Sequence, residues 1–267
     1  MPHHAPTRIE APCVLVTAHP DDETIGFSAN LGWLGAACTV VTVTNGAPRD
    51  GVHARELGFA SAENYARARR AELLSAVSCA GIPADQCLSL DVPDQEALDN
   101  LVPITLALLG ILAERSPRSV VTHAYEGGHP DHDTVAAAVH FAVTLLRESG
   151  SPAPELYEFA GYNFYGGWRR YLRFVPDATG FASARTVVLD EAQRAQKRRM
   201  FACHSSQQRV LRSFSISVER HRRSLGYDFL LPPHSGLLLY ERNGIGPSGQ
   251  TWRRTVQSAR KRLFARF

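Results

Sequence analysis

Two short clusters of histidine and aspartate, each following an apolar run, constrain this chain more than any other feature. The first is Ala18-His19-Pro20-Asp21-Asp22-Glu23, after Val14-Leu15-Val16-Thr17. The second is His129-Pro130-Asp131-His132-Asp133, beyond Ser119-Val120-Val121-Thr122-His123. Apolar runs this short, without polar alternation, read as strands buried on both faces.

The rest of the chain supplies helices between such strands. The patterning predicts a helix over about 22–35, a strand over 38–44 closed by an Asn45-Gly46 turn, and a helix over 60–80. A strand over 86–90 follows, then a helix over 95–115 that Pro103 either kinks or starts late. The strand at 119–123 leads into a helix over 134–147. After Ser151-Pro152-Ala153-Pro154 the pattern changes: strands over 155–160 and 184–189, a helix capped by Asp190, and an irregular stretch over 205–249. Alternating strands and helices imply right-handed βαβ crossovers. The expected fold is therefore α/β: a Rossmann-like, mostly parallel sheet with helices on both faces. We read residues 1–267 as a single domain, with a core over about 13–207 and a C-terminal extension over about 208–267.

Composition narrows the class. A chain of 267 residues with 44% hydrophobic content can fill such a core. A net charge of +3 does not argue for a nucleic-acid partner. The five cysteines form no CxxC pair, and residues 1–12 hold no apolar leader, so a reducing cytoplasm is the expected setting. No apolar stretch approaches the roughly 18 residues that a membrane span needs.

In parallel α/β sheets, sites form beyond the carboxyl ends of the strands, where both clusters fall. His19 and Asp22 are spaced i, i+3 across a strand-to-helix turn, and His129 and His132 repeat that spacing. Two imidazoles and a carboxylate on a metal leave a fourth position for water, the pattern of a catalytic zinc site. With Asp22 on the metal, Asp21 points elsewhere and can act as general base. His129, left off the metal, can stabilise an oxyanion as an imidazolium or protonate a leaving amine. Asp131 is suited to accept a hydrogen bond from a histidine and fix its tautomer. Taken alone, residues 21–23 would serve equally as a helix cap; two clusters in matching strand contexts argue against that.

The two motifs, AHPDDE at residues 18–23 and HPDH at 129–132, resemble those of the LmbE-like, or PIG-L, family of zinc-dependent N-acetylglucosamine deacetylases. The resemblance implies His19, Asp22 and His132 as zinc ligands, Asp21 as base and His129 as the oxyanion or acid histidine. It implies zinc as cofactor; iron(II) or cobalt would also suit these ligands. It adds Arg69, in Arg69-Arg70-Ala71-Glu72, and Asp94, in Pro93-Asp94-Gln95, as sugar contacts, and brings His204 towards the site. Some members carry a tyrosine two residues before HPDH. Gly127 holds that place here, and Tyr125 is the nearest substitute. The implied activity is removal of an N-acetyl group from an amino-sugar conjugate or glycolipid. A Rossmann-like binding protein without catalysis is the alternative. His123, at the end of its strand, reads equally as site-lining or as structural.

The C-terminal stretch interleaves Arg253, Arg254, Arg260, Lys261, Arg262 and Arg266 with Trp252, Val256, Leu263, Phe264 and Phe267. Such a basic amphipathic helix either touches an anionic membrane or packs its apolar stripe on the domain; packing is the better expectation.

Overall fold

β1 (Cys13–Thr17) is buried along its whole length, as its unbroken apolar run requires. In this computed structural model, which describes residues 9–176, 184–224 and 226–265, it lies near the centre of the main sheet. In chain order there follow α1 (Asp22–Leu34), β2 (Cys38–Pro48), α2 (Val52–Glu56), α3 (Ala62–Ser78), β3 (Cys87–Asp94), α4 (Leu101–Arg115), β4 (Ser119–His123) and α5 (Pro130–Glu148). The second half contains β5 (Glu155–Phe159), β6 (Tyr162–Tyr165), β7 (Trp168–Tyr171), β8 (Arg185–Val188), α6 (Glu191–Cys203), α7 (Gln208–Leu211), β9 (Val218–Arg223), α8 (Leu239–Asn243) and α9 (Gly249–Phe264).

The main sheet has the order β3-β2-β1-β4-β5-β9-β8. The five strands from β3 to β5 are parallel; β9 and β8 continue the edge antiparallel. β6 and β7 form a separate two-stranded ribbon. Helices cover both faces. One face packs under α4, α5 and α9, through residues such as Leu108, Val139 and Val256. The other packs under α1, α3 and α6, through Phe27, Leu73 and Met200. The expected mostly parallel, two-faced α/β architecture is what the chain adopts.

Several boundaries differ from expectation, each for a physical reason. β2 runs on through Asn45-Gly46, because irregular pairing with β3 absorbs the left-handed Gly46 (φ 68°) without ending the strand. α4 starts at Leu101, so Pro103 sits in its first turn, where its missing N–H is harmless. α5 begins at Pro130, placing the second cluster in its first turn. α6 is stopped at its start by the expected cap: Asp190 and Gln193 form a reciprocal capping box. The stretch read as irregular contains a sheet strand, β9, of sequence Val-Glu-Arg-His-Arg-Arg.

The C-terminal helix packs its apolar stripe on the domain, the better of the two expectations. Trp252, Val256, Ala259 and Leu263 of α9 are buried against the domain, and the Trp252 indole N–H donates to Thr134 Oγ1 at 2.9 Å. The apolar stripe is therefore already covered. Arg266 and Phe267 lie outside the described residues. Among the described residues no helix is long and apolar enough to cross a membrane.

Candidate active site

The carboxyl ends of β1, β2, β3 and β4 converge on one cavity of about 800 Å³. His19, Asp21, Asp22, Arg69, Asp94, His129 and His132 all line it. Residues far apart in sequence meet there because parallel strands bring their trailing loops to one edge.

At its base three donor groups close a triangle. His19 Nδ1 lies 3.2 Å from His132 Nε2. Asp22 Oδ2 lies 3.4 Å from His19 Nδ1, and Asp22 Oδ1 lies 3.3 Å from His132 Nε2. Ligand atoms about 2.0–2.1 Å from a tetrahedral zinc stand roughly 3.3 Å apart, so this spacing fits a divalent cation. Proton placement agrees. His19 Nε2 faces Asp94 Oδ1 at 3.0 Å and Asp131 Oδ2 at 3.3 Å, so the neutral ring keeps its proton there and turns Nδ1 to the triangle. Burial alone would depress His19, but Asp94, Asp131 and Asp22 raise it well above the usual imidazole range, so a cation bound at Nδ1 would displace a proton from it. Burial lowers His132 to about 4, which keeps it neutral at pH 7. Burial would raise Asp22, but His132 and His123 hold it well below the usual carboxylate range.

Asp21 stands beside this triangle in a strained conformation, with φ 131° and ψ −24°. It precedes α1, and its carbonyl accepts from Thr24 N and Ile25 N, both at 3.0 Å. Its own N–H donates to Glu23 Oε2 at 2.9 Å. Its Oδ2 lies 3.1 Å from Arg69 Nη2, both side chains being almost fully buried. Burial raises its carboxyl to about 7 against the opposing pull of Arg69. Arg69 does not project to solvent: Nη1 donates to Gly46 O at 2.8 Å, and Nη2 also donates to Pro20 O. A side chain at Gly46 would place its Cβ 2.6 Å from Arg69 Nη1, so only glycine leaves room for this guanidinium.

His129 caps α5, and its Nδ1 accepts from Asp131 N at 3.2 Å. That fixes the proton of the neutral ring on Nε2. Burial and the neighbouring His19 lower it to about 4, so the imidazolium expected from sequence is disfavoured. Asp131 accepts from Gln95 N at 2.7 Å and Ala97 N at 3.2 Å, besides facing His19. It thereby ties the loop after β3, which carries Asp94, to the first turn of α5.

Two expected substrate contacts lie elsewhere. Tyr125 is packed between Trp252, Tyr227 and Phe229, and its hydroxyl donates to Leu231 O at 2.9 Å. The glycines that follow it turn the chain away before the cavity; a Cβ on Gly128 would strike Tyr162 O at 2.0 Å. His204 is fully buried behind the cavity wall, with Nε2 3.0 Å from Glu23 Oε1. It reaches Asp21 only through Glu23.

Other residues at the site carried little sequence signal. Tyr162 lines the cavity with its ring 5.2 Å from His132. It follows β5, so its place at a strand's carboxyl end was the available clue. Gln207 donates to Tyr65 Oη at 2.7 Å, and both line the cavity. His123 is stacked on His132 at 4.0 Å, and its Nε2 accepts the Ala18 N–H at 2.9 Å. The same Nε2 lies 3.3 Å from Asp22 Oδ2, so His123 backs the triangle and, with Asp22 and His132, forms a second group of donors within reach of one cation.

Residues 14–143 match the family described as PIG-L, GlcNAc-PI de-N-acetylase. The chain is 31% identical over 162 residues to the 1D-myo-inositol 2-acetamido-2-deoxy-alpha-D-glucopyranoside deacetylase of Rhodococcus jostii (strain RHA1), covering 52% of this chain and 54% of that protein. It thus spans a little over half the length of the curated relatives it matches. Among solved structures, a deacetylase of the teicoplanin biosynthesis pathway is similar with a TM-score of 0.62 at 20% identity, over 80% of this chain and 99% of that one. The N,N'-diacetylchitobiose deacetylase from Pyrococcus horikoshii is similar with a TM-score of 0.55 at 18% identity, over 84% and 85%. At these identities the structural likeness is one of fold.

Proposed function

From the premise that residues 14–143 are a PIG-L domain, we propose that this chain is a metal-dependent hydrolase removing an N-acetyl group from an amino-sugar conjugate. The observation that carries this reading is Asp21: a strained, buried carboxyl raised to about 7, set beside a three-residue donor triangle in one cavity. A site that only binds sugar has no use for such a group, which speaks against a non-catalytic protein.

In this reading His19, Asp22 and His132 hold a divalent cation, zinc by preference, which when bound acidifies a water and polarises the amide carbonyl. Asp21 takes the proton from the attacking water. Its Oδ2 is held by Arg69, while Oδ1 has no partner among the described residues and is left for that water. Near pH 7 a carboxyl of this kind can accept the proton and return it to the departing nitrogen. His129 donates its Nε2 proton to the oxygen that gains charge, as a neutral donor. Asp94 offers its remaining acceptor capacity to a sugar hydroxyl, whereas Arg69 positions Asp21. The five cysteines are all free, which supports a reducing cytoplasm as the setting.

The test combines metal analysis with amine release. Wild type is expected to hold about one divalent metal per chain and to release amine from N-acetylglucosamine conjugates, with loss of both in His132→Ala. Chelation should abolish release and added zinc restore it. A wild type that stays metal-free after reconstitution and inert on every conjugate would overturn the reading.

A further inference from the structure

Three residues on one face of α3 meet the end of α6 and the turn that follows it. Tyr65 Oη accepts from Gln207 Nε2 at 2.7 Å. The Glu72 carboxylate accepts from Ser205 Oγ at 2.7 Å, Ser206 N at 2.8 Å and Ser206 Oγ at 2.7 Å. Cys79, directly after α3, sets its Sγ 4.0 Å from Sγ of Cys203, the last residue of α6. Seven residues make about two helical turns, so positions 65, 72 and 79 stack along one side of the helix. The thiol pair is thus the third rung of a ladder whose other two rungs are hydrogen bonds.

That ladder holds one wall of the cavity, which Tyr65, Ser206 and Gln207 line. Arg69, the partner of Asp21, stands on α3 between the first two rungs. His204, next to Cys203, faces Glu23, which in turn accepts the Asp21 N–H. The third rung carries no bond. Sulfurs 4.0 Å apart are in contact, whereas a disulfide places them about 2.05 Å apart, a difference that side-chain rotation at two helix ends can close. Both thiols are half-buried and reachable from solvent. Cys13 and Cys38 also pair in register, across β1 and β2, but both are shut inside the core.

We propose that Cys79 and Cys203 form a redox-modification site, closing to a disulfide when they meet a small-molecule disulfide such as glutathione disulfide, and so locking α3 to α6. This site does not depend on which reaction the cavity catalyses. Burial and the neighbouring Cys79 raise the Cys203 thiol, so the Cys79 thiolate attacks first. It bonds to one sulfur of the oxidant and expels the other as a thiolate. Cys203, deprotonated in turn, attacks the Cys79 sulfur of that mixed disulfide and expels the second thiolate. Two protein thiols give up two protons and two electrons, and one glutathione disulfide becomes two glutathiones. The joined positions are 124 residues apart, so the bond removes much of the unfolded chain's freedom. An excess of reduced thiol reverses it, as for redox-sensing disulfides of the cytosol.

The test treats the full chain with excess glutathione disulfide, then maps its thiols by mass spectrometry of peptides under non-reducing conditions. The expected product is one peptide pair linked through Cys79 and Cys203, with Cys13, Cys38 and Cys87 still reduced. The oxidised protein should melt about 5 °C or more above the reduced one, a gain that dithiothreitol removes. Hydrogen exchange at the amides of residues 203–207 should slow about tenfold on closure. Cys203→Ser should stop at the mixed disulfide on Cys79, and Cys79→Ser/Cys203→Ser should show no oxidant-dependent change in melting. Both variants touch only half-buried side chains, so their reduced forms are expected to melt within about 2 °C of wild type. Thiols that stay reduced, glutathione retained on Cys79 of the wild type without closure, or a link between Cys13 and Cys38 instead would overturn the proposal. So would a closed bond that changes neither melting nor exchange. Amine release is measured apart from these readouts: its absence would count against the deacetylase reading and leave the thiol pair standing.

Discussion

Asp21 Oδ2 and Arg69 Nη2 lie 3.1 Å apart, both groups nearly excluded from solvent. Arg69 therefore pays for part of the cost of burying Asp21, while the burial that remains keeps the carboxyl near 7. A buried carboxylate without this partner would stay protonated well above neutrality; with a fully exposed one it would be a weak base near its ordinary value.

Replacing Asp21 by Asn removes the proton acceptor and leaves the donor triangle in place. Amine release should fall about 100- to 10,000-fold while metal content stays near that of wild type, checked by steady-state kinetics beside elemental analysis. A variant that retains full activity with metal bound would remove Asp21 from the chemistry.

Lys197 and Glu219 form a fully buried ion pair at 2.8 Å, and Lys197 Nζ also donates to Ile25 O at 2.7 Å in α1. Glu219 accepts in addition from Ser28 Oγ and Ala29 N. Removing one partner strands a buried charge, so Lys197→Met should cost about 3–5 kcal/mol in urea denaturation. The double variant Lys197→Met/Glu219→Leu should recover part of that loss, since no lone charge then remains.

His140 is packed against Tyr227 and Phe229, and burial lowers it to about 4. Between pH 6.5 and 4 the unfolded chain binds a proton at this histidine that the folded chain refuses. Stability is thus fully present above about 6.5 and is lost as the pH falls towards 4, by of order 2 kcal/mol after discounting partial exposure. His140→Phe should flatten that slope in denaturation curves collected across this range; an unchanged slope would assign it to other groups.

Tyr125 spends its hydroxyl on Leu231 O, outside the cavity. Tyr125→Phe should leave kcat for amine release within about twofold of wild type and cost about 1 kcal/mol of stability from the lost hydrogen bond. A large fall in kcat at unchanged stability would return this hydroxyl to the reaction.

Much of this architecture was legible along the chain. β1 and β4 are short apolar runs buried on both faces, and α6 carries its own start signal in Asp190 and Gln193. β9 was not legible, because Glu219 and Arg222 give it the look of a solvated strand. Both are buried, satisfied by Lys197 on α6 and by Glu158 on β5. No local pattern can announce a charge whose partner comes from a distant element. The same holds for Gly46, an ordinary turn residue in sequence, whose missing side chain makes room for Arg69.

The sequence by itself determined the alternating α/β order and the donor types at residues 19–23 and 129–132, because buried strands and motif spacing are local properties. Tertiary structure alone decided which donors face one another. It stacked His123 on His132, turned Tyr125 into the core, set His204 behind Glu23 and brought Arg169 and Arg209 to the same cavity. Those outcomes depend on where a proton, a lone pair or an open space remains once strands and loops far apart in the chain have packed together.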